Sequence, residues 1–429
     1  MNFKLEGFKP IQSAEIVVND LTLIFGDNNN GKTYFAYALY GLLKAFKSIN
    51  IEILTKKMEN DLLANNKITI NKAKLNLEDI IENVAKSYAK KIHSFVFSSE
   101  NQNIPIISLS SLSLSTEKTK QTINIGGSSI IIDSNKEWFE ITIKNQDTGL
   151  NNIIIYEINQ ALLTLLFDIP DVFISVAERL GISLFQKDLD LNINTLVDHI
   201  KKSKEINPFD LIRDYSSRYA LPVKDNIDFI RAIETIQKGK TTLKIDLSTH
   251  IKKMIGGKLK YNGNEVRLSN NRHGDNKIDI PIYLTSASVR ALSSLYFFLK
   301  HKAKPGDLII IDEPESHLSL AKQRLLAKLI ADCINNDLKI MLTTHSDTLV
   351  LELNNLIMLN SDFDDKDSFM KKNHYKNNNI INPDKVSAYI AENGGMTKCN
   401  IDKYGMEVGS MDKEINKLNT IRDGLEARL

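Results

Sequence analysis

The chain has 429 residues, of which 42% are hydrophobic and 25% are charged, and its formal net charge is +2. This balance is typical of a globular protein with an ample core, and the charge alone indicates neither a nucleic-acid-binding protein nor a strongly acidic one. The two cysteines, Cys333 and Cys399, lie too far apart to form a metal or redox motif. The N-terminus lacks a signal-peptide pattern, and no apolar run reaches the roughly 18–20 residues of a membrane helix. We therefore expect a cytoplasmic protein that does not contact membranes.

The first 48 residues predict a strand, a second strand, a loop and a helix, in that order. The segment "AEIVVNDLTLIF", residues 14–25, contains two β-branched runs separated by the turn signal Asn19-Asp20. The segment "YFAYALYGLLKAF", residues 34–46, has the composition and length of a helix. The loop between them therefore joins an apolar strand to a helix.

This loop has the spacing G-x-x-x-x-G-K-T of a phosphate-binding loop. Glycines let the backbone wrap tightly enough for successive N–H groups to point at phosphate oxygens, and the following helix adds its positive end. A chance glycine-rich turn is disfavoured because the strand and the helix flank the motif as required. Lys32 is predicted to contact the β- and γ-phosphates, and the Thr33 hydroxyl is predicted to bind Mg²⁺. The predicted nucleotide contacts are Gly26, Asp27, Asn28, Asn29, Asn30, Gly31, Lys32, Thr33 and Tyr34.

The middle of the chain mixes helices with short strands. Residues 76–97 predict an amphipathic helix capped by Asn76. Residues 108–115 nearly alternate serine with leucine, which fits either an edge strand or a loop. Gly126-Gly127 and Asn262-Gly263 predict the turns of two hairpins.

The segment "LTSASVRALSSLYFFLKH", residues 284–301, predicts a helix that begins with small residues. A helix start of this kind binds anions, which makes Ser286 and Ser288 candidate phosphate contacts. Simple N-capping is the alternative interpretation.

The segment "GDLIIIDEPESHL", residues 306–318, predicts a buried strand that ends in two carboxylates. Ligands bind at the carboxyl ends of strands in open α/β sheets. Asp312 is therefore a candidate to hold Mg²⁺ through water, and Glu313 is the candidate base that polarises the attacking water. A capped strand-to-helix turn is the alternative for "DEPES".

The segment "LKIMLTTHSDTLV", residues 338–350, predicts another buried strand, and His345 follows it. A histidine in this place can contact the γ-phosphate and the attacking water, while Ser346 or Asp347 can cap the next helix. Both interpretations can hold together. The tail after residue 360 predicts a polar loop and then a helix.

These segments together resemble an ABC-type ATPase head of the branch that contains RecF, the SMC proteins and the OLD-family ATPases. "TSASVRAL" is similar to the "LSGGQRAL" signature, with Ser286 on the signature serine. "DEPESHL" resembles a Walker B strand that runs into the D-loop, and His345 resembles the switch histidine. The chain departs from the family because Ala287 and Ser288 replace both signature glycines and Ser319 stands in the D-loop. Gln146 is the candidate Q-loop glutamine.

The resemblance implies an α/β P-loop NTPase with an ABC-type head, in which a mixed sheet is flanked by helices and joined by an antiparallel β subdomain and a helical and β insertion. We expect the ATPase core in residues 1–48 and 281–360, and a β subdomain with a helical insertion in 49–170. A helical and hairpin lobe on the signature side follows in 171–280, and a C-terminal loop and helix in 361–429. The stretch between Thr33 and Ser286 lacks sustained heptads, so no long coiled coil is expected.

The resemblance also implies ATP and Mg²⁺ as cofactors and a homodimer, or a larger homo-oligomer, that sandwiches ATP. Ser286 of one copy would complete the ATP site of the other copy. Catalysis is assigned to Glu313, His345 and Lys32, and metal binding to Thr33 and Asp312. Hydrolysis would loosen the pair, which makes the protein a switch.

Within that branch, "VFISVAERLGISLFQKDL" resembles a "PAER-G" segment. The segments "RYALPVKDNIDFIR" and "TTHSDTLVLELNNLIML" resemble ATPases of bacterial antiphage defence of the OLD-like, PARIS-like and abortive-infection types. This resemblance implies a sensor that controls a separate effector protein, either a nuclease or a toxin. The alternatives are a RecF-like repair ATPase that binds duplex DNA, and a scaffold that binds ATP with little turnover.

Several charged residues have weaker predicted roles. Arg179 is directed either toward the nucleotide or toward the insertion, or it forms a surface ion pair. Asp362-x-Asp364 is interpreted as a solvated acidic loop rather than a nuclease motif. Three lysine pairs are candidates to follow a DNA backbone, although such pairs are usually solvated: Lys201-Lys202, Lys252-Lys253 and Lys371-Lys372.

Overall fold

The computed structural model describes residues 1–99, 101, 103–145, 147–183, 219–245, 250–271, 277–407, 412–426 and 428. The candidate Q-loop residue Gln146 and the pair Lys201-Lys202 lie outside the described residues.

A nine-stranded mixed sheet forms the centre of the molecule, with the strand order β5-β1-β2-β16-β15-β3-β14-β13-β9. Its strands are β1 (Asn2–Phe8), β2 (Ile11–Val17), β3 (Leu21–Phe25), β5 (Ile106–Ser110), β9 (Val172–Ser175), β13 (Leu308–Asp312), β14 (Lys339–Thr344), β15 (Val386–Glu392) and β16 (Gly395–Lys398).

Five of these strands are parallel neighbours, in the order β15, β3, β14, β13 and β9. Strands β3 (LTLIF) and β13 (LIIID) are buried at every position, as expected for strands that are covered on both faces. Because the strands are parallel, the carboxyl ends of β3, β13 and β14 lie at one edge of the sheet. The three predicted site motifs follow these ends and are therefore brought together.

The other end of the sheet is mostly antiparallel. Strand β1 pairs with β2 and with β5, and β16 pairs with β15. The edge-strand interpretation of the serine-leucine alternation is confirmed for residues 108–110, which form the end of β5, whereas residues 111–115 lie outside this strand and Leu114 forms only an isolated bridge with Phe167. Residues alternate between buried and accessible along β5, which fits a strand with one covered face.

Three smaller sheets complete the strands of the described residues. An antiparallel sheet of order β4-β8-β7-β6 contains the predicted turn at Gly126-Gly127, and a three-stranded sheet of order β10-β11-β12 contains the predicted turn at Asn262-Gly263. Their strands, with a final two-stranded pair, are β4 (Lys67–Asn71), β6 (Thr119–Ile125), β7 (Ser128–Ser134), β8 (Trp138–Lys144), β10 (Lys258–Tyr261), β11 (Val266–Asn271), β12 (Lys277–Pro281), β17 (Ile401–Asp402) and β18 (Gly405–Met406).

The described helices are α1 (Lys32–Ala45), α2 (Lys56–Asn65), α3 (Leu77–Val96), α4 (Asn151–Leu166), α5 (Leu221–Arg231), α6 (Ile233–Ile236), α7 (His250–Ile255), α8 (Ala287–Ala291), α9 (Ser293–His301), α10 (Leu320–Ile334), α11 (Asp347–Met358), α12 (Lys366–Lys372) and α13 (Asp412–Glu426). The longest of these, α3, has 20 residues and begins at the predicted cap Asn76, whose side chain accepts a hydrogen bond from the backbone of Asp79. Within the described part of the chain, no helix combines the length and apolar composition that crossing a membrane requires.

Helix α1 packs closely on α3 at Gly41. A Cβ atom on Gly41 would lie 2.2 Å from Val96 Cγ2 and 2.5 Å from the Tyr88 hydroxyl oxygen. The same hydroxyl donates a 2.6 Å hydrogen bond to the Ala38 carbonyl. Glycine therefore allows the helix that follows the P-loop to pack against its neighbour.

The predicted division of the chain needs two corrections. The central sheet is not confined to residues 1–48 and 281–360, because β5, β9 and β15 come from the three segments outside them. The tail after residue 360 is not only a loop and a helix, because it supplies β15 beside β3. The first four residues of β15 are buried, so this strand is held by neighbours that are distant in sequence.

Candidate functional site

The loop between β3 and α1 has a backbone that requires its glycines. Gly26 has φ 136° and Gly31 has φ 83°, both in the region that side chains rarely adopt. A Cβ atom on Gly26 would also lie 2.5 Å from the Ala391 carbonyl oxygen of β15. Because α1 begins at Lys32, the first amides of this helix have no intrahelical acceptors and remain able to bind an anion.

Lys32 is buried, and its ammonium group turns back over the loop. Its Nζ donates to the carbonyl oxygens of Gly26 at 2.8 Å and Asp27 at 2.7 Å. Burial lowers the pKa of the Lys32 ammonium, while the nearby carboxylates of Glu313 and Asp312 act in the opposite direction. The charge is thus held beside the loop and close to the acidic strand.

Thr33 and Asp312 are in direct contact, as expected for two ligands of one metal ion. The Thr33 hydroxyl donates a 3.0 Å hydrogen bond to Asp312 Oδ1, which also accepts from the Thr343 hydroxyl. Burial raises the pKa of the Asp312 carboxyl to about 6, although the hydrogen bonds from Thr343 and Thr33 act to lower it.

The second carboxylate oxygen of Asp312, Oδ2, is buried and has no hydrogen-bond partner. An unpartnered buried oxygen is costly, and a cation at this position would satisfy it. Hard oxygen donors such as Thr33 and Asp312 are those that Mg²⁺ prefers, so these residues fit this ion. No group of three or more His, Cys, Asp or Glu side chains in the described residues can hold a metal by itself. Phosphate oxygens and water would have to complete the shell.

Glu313 follows Asp312 in a left-handed backbone conformation, with φ 48°. This conformation costs a non-glycine residue about 1–3 kcal/mol and therefore needs support from its surroundings. The backbone N–H of Glu313 donates to the Thr343 carbonyl at 3.0 Å. Its side chain accepts a 3.2 Å hydrogen bond from the Ser316 hydroxyl and is partly accessible, so its carboxylate can still reach a ligand.

Arg179 follows β9 and is only 3% exposed. Its Nη1 donates to the carbonyl oxygens of Val176 at 2.9 Å and Asp312 at 2.8 Å, and its Nη2 donates to that of Glu313 at 2.7 Å. Burial lowers the pKa of the Arg179 guanidinium, which the charge of Asp312 opposes. The surface ion-pair interpretation is therefore wrong, and these hydrogen bonds join Arg179 to the backbone of the acidic strand.

His345 lies at the end of β14, and its side chain is 42% exposed. Its Nδ1 lies 3.6 Å from Glu315 Oε1, which also accepts a 2.9 Å hydrogen bond from the His345 backbone N–H. Ser346 caps the next helix by accepting from the backbone N–H of Leu349, so capping and a role for His345 are compatible. The geometry gives the imidazole a buried carboxylate partner.

The helix start at Ser286 is at the surface of the chain. Ser286 is exposed and precedes α8, but its side chain does not cap this helix; its hydroxyl lies 3.0 Å from that of Ser288. Ser288 is buried, and its hydroxyl accepts a 2.7 Å hydrogen bond from Lys322 Nζ. Ser286 is thus the accessible member of the pair, whereas Ser288 is already engaged with α10 of its own chain.

The remaining loop candidates are accessible. Asp27, Asn28 and Asn29 are exposed, and Asn30 is partly accessible. The Tyr34 ring is 44% exposed and stacks on Phe97, with centroids 5.3 Å apart and an interplanar angle of 15°. An aromatic surface therefore adjoins the loop.

The weaker charged candidates do not join this site. Asp362 and Asp364 are exposed, and Asp362 lies 3.7 Å from Lys366, so the solvated-loop interpretation fits. The pairs Lys252-Lys253 and Lys371-Lys372 are exposed as well.

Sequence reasoning missed three residues that contact the site. Thr343 binds Asp312, Glu315 contacts His345, and Lys322 contacts Ser288. Thr343 lies in the segment "TTH" and Glu315 in "DEPES". Both lie at the carboxyl end of a predicted strand, and this position could have indicated that they belong to the site. Nothing near Lys322 in the sequence indicates its contact, because the partner lies 34 residues away.

Comparisons with known proteins assign the family of this chain. Residues 1–350 match the family model described as AAA ATPase domain. No curated protein matches the chain. A family model that spans most of the chain and covers the phosphate loop, the acidic strand and His345 is sufficient to assign the family.

Solved structures that are similar include the Smc head domain with an extended coiled coil from Pyrococcus furiosus, bound to the C-terminal domain of ScpA (14% identity, TM-score 0.34, covering 98% of each chain). The SMC head domain from Thermotoga maritima has 11% identity and a TM-score of 0.29, and the match covers 94% of this chain and 98% of that one. The recombination mediator protein RecF of the RecFOR pathway has 10% identity and a TM-score of 0.31, with 92% and 97% covered. The assignment does not rest on these low TM-scores. By its match to the family model, the chain belongs to the AAA ATPase domain family.

Proposed function

We propose that the protein binds and hydrolyses ATP at the loop of residues 26–33. The observation that supports this most strongly is the cluster of Lys32, Thr33, Asp312 and Glu313 at one edge of the sheet, with an unpartnered Asp312 oxygen at its centre. Lys32 and the loop amides bind the phosphates. Glu313 accepts a proton from water, the water oxygen attacks the γ-phosphorus, and the bond to the β-phosphate bridging oxygen breaks to give ADP and phosphate.

Thr33 and Asp312 are the residues that would hold Mg²⁺. When bound, the ion neutralises phosphate charge. The chain itself contributes a fixed hydroxyl, a carboxylate oriented by Thr343, and a lysine whose charge is already directed at the loop. His345 is proposed to contact the γ-phosphate through its exposed imidazole.

We propose further that two copies of the chain enclose ATP between them. Ser286 is exposed, and α8 packs against α7, α9 and the preceding residues of its own chain. A serine in this position is suited to donate to the γ-phosphate of a second copy. ATP then stabilises the dimer, and hydrolysis weakens it.

The role proposed for this cycle is a switch in antiphage defence that holds or releases a separate effector protein. The support is the resemblance of "RYALPVKDNIDFIR" and "TTHSDTLVLELNNLIML" to ATPases of such systems. The test is co-purification with the product of an adjacent gene and phage plating with the wild-type protein and a Lys32→Ala variant. Equal phage resistance with both proteins would contradict an ATP-driven role in defence.

A second candidate, a DNA-binding ATPase, is favoured by one basic surface. Lys252, Lys258, Lys260 and Arg267 line a concavity of about 470 Å³ on the three-stranded sheet. Arg267 is paired with Glu265 and Asp279, which leaves the three lysines as the candidates to contact phosphates. Strand β12 belongs to this sheet and precedes Ser286 by a few residues, so binding here would lie close in sequence to the proposed dimer interface.

The two candidates are separated by ATP hydrolysis assays with and without duplex DNA. A DNA-binding ATPase is stimulated by DNA and loses this response on Lys258→Glu/Lys260→Glu, whereas a protein-controlled switch is unaffected by DNA. Hydrolysis that is abolished by Glu313→Gln supports the catalytic assignment. A wild-type protein that binds ATP but never turns it over would instead be a scaffold.

A further inference from the structure

The Arg179 side chain donates hydrogen bonds to three backbone carbonyls, two of which belong to Asp312 and Glu313 at the end of the acidic strand. The side chain is buried, and its two terminal nitrogens reach Val176, Asp312 and Glu313 at 2.7–2.9 Å. The guanidinium of arginine has several N–H donors in one plane and can reach three separate carbonyl oxygens at once. The ammonium of lysine carries its donors on a single nitrogen and cannot reach all three. These contacts are made to the backbone, so Arg179 does not occupy the carboxylates of Asp312 and Glu313.

The contact with Glu313 coincides with its unusual backbone. Glu313 has φ 48°, its N–H is bound by the Thr343 carbonyl of β14, and its C=O is bound by Arg179. The two hydrogen bonds fix the peptide groups on both sides of the Glu313 Cα atom. The direction of the Cα–Cβ bond, and hence of the carboxylate, follows from these two peptide orientations.

We propose that Arg179 is a positioning residue, which fixes the left-handed backbone of Glu313 so that its carboxylate is aimed at the attacking water. This inference rests on the proposed function, because it assumes that Glu313 is the base for ATP hydrolysis. It replaces the expectation that Arg179 is directed at the nucleotide or at the insertion.

The rival explanation is charge balance. Asp312, Glu313 and Glu315 all act electrostatically on Arg179, so a buried cation of any shape offsets their mutual repulsion. The two explanations differ for Arg179→Lys, which keeps the charge but lacks the spaced donors. If Arg179 positions Glu313, Arg179→Lys should have a lowered kcat. If Arg179 only balances charge, the kcat of Arg179→Lys should be close to that of wild type.

The test compares wild type, Arg179→Lys and the control Arg231→Lys. Arg231 pairs with Asp228 on α5 through a partly exposed side chain, so its replacement leaves the acidic strand unchanged. We expect Arg179→Lys to lower kcat by about 100-fold, within the range for loss of a general base, and to bind a fluorescent ATP analogue with a Kd close to that of wild type. Arg231→Lys should retain both values. A normal kcat for Arg179→Lys would overturn the proposal, and so would a loss of kcat and of ATP binding together.

A double-mutant cycle gives a readout that a merely structural role would not produce. If Arg179 acts through Glu313, Arg179→Lys adds less than about twofold to the loss already caused by Glu313→Gln. If the kcat losses of the two single variants instead multiply in the double variant, the positioning role of Arg179 is overturned. The proposed function is tested separately, with two proteins that both retain Arg179. It is wrong if the wild-type protein does not hydrolyse ATP, or if Glu313→Gln hydrolyses ATP at the wild-type rate.

Thermal unfolding of Arg179→Lys is measured first, since a buried arginine also supports the fold. Should this variant not fold, a crystal structure of the wild-type protein with a non-hydrolysable ATP analogue decides the question. Guanidinium contacts with the Asp312 and Glu313 carbonyls, and a Glu313 carboxylate facing the γ-phosphate, support the proposal. A guanidinium that contacts the phosphates overturns it.

Discussion

Replacement of Thr343 by valine tests the hydrogen bond that orients Asp312. Thr343 is fully buried, and valine has nearly the same shape, so the change removes a hydroxyl without opening a cavity. The change removes the hydrogen bond donated to Asp312 Oδ1, which leaves Thr33 as the remaining described donor to this carboxylate. It also removes a 3.3 Å hydrogen bond that the Thr343 hydroxyl accepts from the Glu313 N–H, but this N–H keeps its shorter 3.0 Å bond to the Thr343 carbonyl.

The expected size of the effect follows mainly from the bond to Asp312, because the Glu313 N–H retains a backbone acceptor. A hydrogen bond to a charged group contributes about 1.5–3 kcal/mol, so Thr343→Val should lower the free energy of unfolding by about 2 kcal/mol. The same loss of orientation at Asp312 is expected to lower kcat about 30-fold, since about 1.4 kcal/mol corresponds to a factor of ten. Urea unfolding followed by circular dichroism measures the first quantity, and steady-state phosphate release measures the second.

Two control variants separate the hydroxyl from other effects. Thr343→Ser keeps the hydroxyl and should retain most activity. Thr22→Val removes a buried hydroxyl that accepts a 2.9 Å hydrogen bond from the Asn19 backbone, so it should cost about 1 kcal/mol of stability and leave kcat unchanged. A Thr343→Val protein with wild-type stability and kcat would refute the assigned role of this hydrogen bond.

Three further changes test other parts of the site and its support. Lys32→Ala removes the charge beside the loop, so ATP affinity measured with a fluorescent analogue should fall about 10- to 100-fold; unchanged affinity would argue against the phosphate contact. Gly41→Ala should lower the free energy of unfolding, measured with urea, by about 1–3 kcal/mol, because its Cβ would lie 2.2 Å from Val96 Cγ2. A gain in stability would show that α1 and α3 can separate at little cost. Ser286→Arg should prevent the ATP-dependent dimer seen by mass measurement but leave ATP binding to one copy intact, whereas the exposed control Ser94→Arg should dimerise normally.

The parts of the site that are local in sequence were predictable. The spacing from Gly26 to Thr33, the apolar run before Asp312 and the strand before His345 each specify their own geometry. Parallel pairing then brings these three strand ends to one edge of the sheet. The α/β fold with its phosphate loop followed from the same signals.

The remaining contacts depend on partners that are distant in sequence. Arg179 meets Asp312 across 133 residues and Glu313 across 134, and no local pattern encodes that choice of acceptors. Strand β15 follows a long polar segment, so its place beside β3 was not indicated by its neighbours in the chain. Ser288 was predicted to bind phosphate because of its neighbours, but the approach of Lys322 gives its hydroxyl a different partner.

The central claim is that ATP joins two copies of this chain and that Glu313 hydrolyses it. The most direct test is the solution mass of Glu313→Gln with Mg²⁺ and ATP, compared with the same protein carrying Lys32→Ala. We predict two copies per particle for Glu313→Gln only when ATP is present, persistence of that particle over time, and no ATP-dependent change in the double variant. A Glu313→Gln protein whose mass is the same with and without ATP, or whose hydrolysis rate equals that of wild type, would contradict the account.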